Sequence, residues 1–134
     1  MNRLLAVLSS ALVSVGVCPP GHANAAPTDA EGQCSFVLET PKVVQVSGVD
    51  FVMATAHPGP CTLEISPNRT TVCVSIEGDD SQGECRSANG PRTAVVYYTY
   101  RPGATYVIKG RGCANGFTPP YTTCQDIAPS RFTL

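Results

Sequence analysis

From residue 34 onward the chain is cut into short runs of β-branched and aromatic residues, and clusters of Gly, Pro, Asn and Asp separate them. No segment keeps the period of an amphipathic helix. CSFVL (34–38), KVVQV (42–46) and VDFVMAT (49–55) read as strands split by Pro41 and by Ser47-Gly48, and HPGP reads as a turn. In CTLEIS, Cys61, Leu63 and Ile65 share one face while Thr62, Glu64 and Ser66 share the other, the alternation of a half-buried strand. SPNR is expected to turn the chain into TTVCVSI, where Val72, Val74 and Ile76 alternate with Thr71, Cys73 and Ser75. EGDDSQGE and SANGP read as loops, and TAVVYYTY (93–100) and TYVIKG (105–110) as the last clear strands. About seven closely spaced strands predict an all-β fold, a small antiparallel β-sandwich, with a small barrel as the alternative.

Ahead of this region the pattern changes. Arg3 precedes an apolar run from Leu4 to Val17, too short to cross a bilayer core of roughly 30 Å and ended by Pro19, Pro20 and Gly21. Ala23-Asn24-Ala25 supplies the small residues that signal peptidase requires, which predicts a cleaved signal peptide over 1–25 and a first residue at Ala26. A lipoprotein reading of Cys18 competes, but Val17 and Val15 stand where its processing signal wants a small residue and Leu. Residues 26–33 form a polar lead-in and 34–134 a single domain. The expected location is outside the cell or in its envelope, with no stable membrane insertion.

Without the leader six of the seven cysteines remain: Cys34, Cys61, Cys73, Cys85, Cys113 and Cys124. An even set in an exported chain predicts a disulfide-stapled domain, and no C-x-x-C pair suggests zinc instead. Cys113 to Cys124 is the expected bridge, because it closes the short loop ANGFTPPYTT, whose Gly and prolines give it no regular structure. The other pairings stay open. The nine basic residues become eight without Arg3, against ten acidic ones, so the net charge is −2 and no basic stripe for nucleic acid is present.

YRPGATYVIKG resembles the segment of fibronectin type III and related immunoglobulin-like domains in which a strand runs into x-P-G-T-x-Y-x-V. The resemblance makes Pro102-Gly103 the turn, Tyr106 the corner tyrosine and Ile108 a core residue. Ala104 replaces the Thr, and the chain has no Trp. More broadly, the leader, the PG-x-x-Y strand and the terminal G-x-C…P-P…C loop are similar to small exported proteins of actinobacteria.

Chemistry is sparse. His57 is the one histidine left after cleavage and is expected as a solvated turn residue with neither acid nor nucleophile beside it. EGDDSQGE gathers Glu77, Asp79, Asp80 and Glu84, but Ser81 and Gly83 break the calcium-loop template, so a solvated hairpin loop is expected and no metal or cofactor. All five tyrosines lie between 97 and 121. Tyr98 and Tyr100 share a face, and with Arg101 they form the candidate binding platform, the competing reading being core packing. Cys85-Arg86-Ser87 resembles the reactive loop of trypsin-type inhibitors, with Arg86 as the primary contact.

The sequence therefore predicts a secreted, non-enzymatic binding domain that contacts a protein or a glycan. A protease inhibitor using Arg86 is the alternative, and a hydrolase using two distant carboxylates the third reading.

Overall fold

The computed structural model describes residues 33–62 and 64–134. The expected leader with its cleavage site, Cys18, lead-in residues 26–32 and Leu63 lie outside the described residues. Among the described residues eight strands follow one another: β1 (Cys34–Leu38), β2 (Lys42–Val46), β3 (Val49–Cys61), β4 (Ser66–Ile76), β5 (Glu84–Asn89), β6 (Ala94–Thr99), β7 (Thr105–Asn115) and β8 (Thr122–Thr133). They form two antiparallel four-stranded sheets. In the first, β1 and β2 pair end to end along one edge of the long β3, and β6 pairs with its other edge. The second has the order β5-β4-β7-β8. The all-β sandwich expected from the strand spacing is the fold. Among the described residues, no helix is long and apolar enough to cross a membrane.

Local chemistry sets the connections. Between β2 and β3, Ser47 and Gly48 take φ of 51° and 80°, the two left-handed positions of a type I′ hairpin, which Gly occupies without a Cβ clash. After β6, the Ala104 amide donates to the Arg101 carbonyl at 3.1 Å with Gly103 at φ 77°, so Pro102-Gly103 fills the centre of a type II turn.

The core lies between the sheets. Val52, Ala54, Ala56, Ala94 and Val96 face Val72, Val74, Ile76, Tyr106 and Ile108, all in one buried cluster. Alanines in the first sheet offset the bulk of Tyr106 and Ile108 in the second. Each fully buried Val or Ile contributes about 1.5–3 kcal/mol. Phe36 of β1 packs directly over Gly112 of β7, where a Cβ would lie inside its ring.

The bridges are Cys34–Cys61, Cys73–Cys85 and Cys113–Cys124. Each joins directly opposed residues of neighbouring strands in one sheet. Flanking bonds from Thr62 to Gln33, Gly90 to Asn68 and Gly116 to Tyr121 place all three cystines at non-hydrogen-bonded pairs. Opposed side chains approach most closely there, and the Cα atoms are 3.9–4.1 Å apart. Three disulfides suit an oxidising, extracellular environment.

Several expected turns are strands. HPGP belongs to β3, where Phe36 faces Pro58 and Val37 faces His57. Beyond Ala56 β3 has a partner on one side only, so its prolines cost no ladder bond. Conversely, CTLEIS is not a strand: Cys61 ends β3, and the Ile65 amide turns back to the Thr62 carbonyl with Glu64 at φ 70°. SPNR opens β4, its Pro67 at a register shift. CRSAN lies in β5 and the chain after Thr122 in β8, both edge strands.

Candidate functional site

Strand β6 alternates Ala94, Val96 and Tyr98 toward the core with Val95, Tyr97 and Thr99 toward the outer surface. Tyr98 and Tyr100 thus share a face, but it is the inner one, and both are half-buried against the core cluster. Tyr97 points outward, 48% exposed, with its ring edge-on to Phe51 at 6.4 Å. Packing takes up part of both rings of the expected Tyr98/Tyr100 platform, and the exposed aromatic of the strand is Tyr97.

The sheets part at the free edges of β5 and β6 in a groove of about 330 Å³ lined by Phe51, Tyr97, Tyr98, Thr99, Glu84, Arg86 and Arg101. Arg86 is not on a protruding loop. It sits in β5 opposite Val72, and its Nη1 donates to the Cys85 carbonyl at 2.9 Å and lies 3.3 Å from Glu84 Oε2. Arg101 reaches Asp79 Oδ2 at 3.1 Å. The loop 77–83 is fastened over the end of the groove by this pair and by the Ser81 and Tyr98 hydroxyls, 2.9 Å apart. Arg86 and the Tyr98/Arg101 pair, expected for different functions, share one groove. Nothing local in the sequence joins Phe51, Glu84 and Tyr97 to them; register and topology do.

The acidic cluster is dispersed. Glu77 pairs with Arg131, Asp79 with Arg101 and Glu84 with Arg86. Among the described residues, no group of three or more His, Cys, Asp or Glu is placed to hold a metal ion. His57 is a strand residue rather than a solvated turn residue. Half-buried on the outer face of β3, its Nε2 lies 3.4 Å from Glu39, which also accepts the Thr55 hydroxyl at 2.8 Å.

A larger cavity of about 550 Å³ opens at the opposite edge, between β1 and β8. Its polar lining is already engaged: Gln125 donates to the Cys34 carbonyl at 2.7 Å, Ser35 to the Pro60 carbonyl at 3.1 Å, and Asp126 pairs with Arg111. The β5–β6 groove instead sets two exposed guanidinium groups, each engaged through Nη1 alone, beside an exposed ring.

The chain matches no protein-family model, no curated protein and no solved structure.

Proposed function

We propose that this protein is an exported, non-catalytic binding domain that contacts a protein or glycan of the envelope or extracellular space through the β5–β6 groove. The observation that carries this reading is the exposed Tyr97 ring, braced by Phe51 at the mouth of a groove that also holds Arg86 and Arg101. A braced aromatic brings a large contact area and has little rotamer freedom left to lose on binding. Glu84 and Asp79 each hold a guanidinium rather than facing one another, which suits recognition better than acid–base chemistry.

Binding of the labelled secreted protein to isolated envelope fragments, with Tyr97→Ser and Lys109→Ala compared, tests the reading. Tyr97→Ser is expected to abolish binding without moving the urea midpoint, and Lys109→Ala, on the exposed outer face of β7 and outside the groove lining, to leave it intact. Undiminished binding by a folded Tyr97→Ser protein overturns the groove as the contact surface.

A further inference from the structure

We infer, resting on the groove as the contact surface, that the partner supplies an extended peptide segment with a carboxylate side chain, and that this segment adds as a strand along the free edge of β6. The Tyr100 amide donates to the Asp50 carbonyl at 3.4 Å, in register with the β3–β6 ladder. Antiparallel bonding alternates, so Ala94, Val96 and Tyr98 direct their amides and carbonyls to β3, while Val95, Tyr97 and Thr99 direct theirs to the free edge. The Thr99 carbonyl is taken by the Tyr106 hydroxyl at 3.2 Å. The Tyr97 N–H and C=O and the Thr99 N–H remain as a donor and acceptor row at strand spacing.

Both faces of that edge line the groove. Tyr97 and Phe51 stand on the outer side, and Tyr98 with the side chains of Glu84 and Arg86 on the inner side. An added strand alternates its side chains in the same way, one against Phe51 and Tyr97, the next toward Arg86 and Arg101. Each of those guanidinium groups binds through Nη1 alone, and Nε and Nη2 have no partner among the described residues. Unused, exposed guanidinium donors select a carboxylate. The other edges differ: β2 packs on β3 alone, β8 is interrupted by Pro129, and the cavity beside the β1 edge has no guanidinium in its lining, its Gln125 and Ser35 side chains being bonded to backbone carbonyls. A sugar could stack on Tyr97 but would not match the backbone row.

The test pans a random octapeptide display library on the full secreted protein and measures the enriched peptide by fluorescence polarisation. Enriched sequences are expected to carry Asp or Glu with apolar residues at adjacent positions. Arg86→Gln and Arg101→Gln should each weaken the peptide about tenfold, the loss of one charge-assisted bond. N-methylation along the peptide should abolish binding at the one residue whose N–H donates to the Tyr97 carbonyl and be silent at its two neighbours, whose N–H groups point away from β6. No enrichment, enrichment without acidic residues, or N-methylation that is silent at every position or equally harmful at neighbouring ones would overturn the strand-addition proposal. A glycan array in parallel separates the two levels. Tyr97-dependent glycan binding with no peptide enrichment keeps the groove and sinks the peptide. Absence of any Tyr97-dependent binding, to envelope fragments as well, sinks both.

Discussion

The hydroxyl of Tyr106 accepts a hydrogen bond from the Arg101 amide at 2.7 Å, so the most deeply buried tyrosine fixes the backbone of a groove residue. The same hydroxyl donates to the Thr99 carbonyl at 3.2 Å. Its ring meets Tyr98 edge-on at 6.5 Å, and Tyr98 holds Ser81 of the loop 77–83. The inner wall of the groove is thus anchored to the core through one side chain.

Tyr106→Phe keeps the ring and removes the hydroxyl, and is expected to cost about 1–2 kcal/mol because an amide and a carbonyl at the turn lose their partner. Tyr106→Ala should cost roughly 3–5 kcal/mol through the cavity it leaves. Urea denaturation of the three proteins measures both, and equal midpoints for wild type and Tyr106→Ala would contradict the burial.

Replacing each cystine by a pair of serines should destabilise in the order of loop length. By chain entropy, removing Cys34–Cys61, with a separation of 27, costs about 3.5 kcal/mol, against about 3 kcal/mol for Cys73–Cys85 and Cys113–Cys124, with separations of 12 and 11. Mass spectrometry of non-reduced digests checks the pairing, and denaturation checks the order. Thiol labelling of any of these six cysteines in the unreduced folded protein would contradict it.

Gly112→Ala places a methyl group in the ring of Phe36 and should cost about 1–3 kcal/mol as the two sheets are pushed apart. Phe36→Val alone should also destabilise, by leaving space. The double variant is expected to be more stable than the sum of the single effects predicts, since one change vacates what the other fills. Strict additivity in urea would show that these residues do not touch.

How much of this was legible depends on burial. CSFVL and KVVQV are β1 and β2 to the residue, and Val72, Val74 and Ile76 line the core as their alternation indicates. Pro102-Gly103 makes its turn because φ preferences act locally. Strands β5 and β8 were not legible. They are edge strands with few core-facing residues, so ECRSAN and TTCQDIAPSRFT carry no apolar alternation. HPGP reads as a turn because prolines signal turns unless tertiary structure leaves one strand edge free, as it does beyond Ala56. In β6 both faces are apolar enough to be core, Val95 and Tyr97 against Val96 and Tyr98. Alternation placed Tyr98 and Tyr100 together and left open which side was buried.

The carboxylates beside the groove compete with an incoming acidic group, and removing one should tighten binding. Asp79 pairs with Arg101 through Oδ2 and accepts the Ser81 amide through Oδ1 at 3.2 Å. Asp79→Asn keeps an oxygen for the amide, so the loop stays in place while the charge is lost. Exposed ion pairs are worth about 0.2–1 kcal/mol, so releasing Arg101 should raise affinity for the enriched acidic peptide by about 1.5–5-fold. Glu84→Gln should act likewise through Arg86, 3.3 Å away. Because Arg86 and Arg101 line the same groove, the double variant should exceed either single one. The gain should shrink at about 0.5 M salt, where screening reaches only a few ångströms. Fluorescence polarisation at low and high salt reads all of this. Weaker binding by Asp79→Asn at low salt would mean that Asp79 positions Arg101 for the ligand instead of competing with it, and the competition argument would fall.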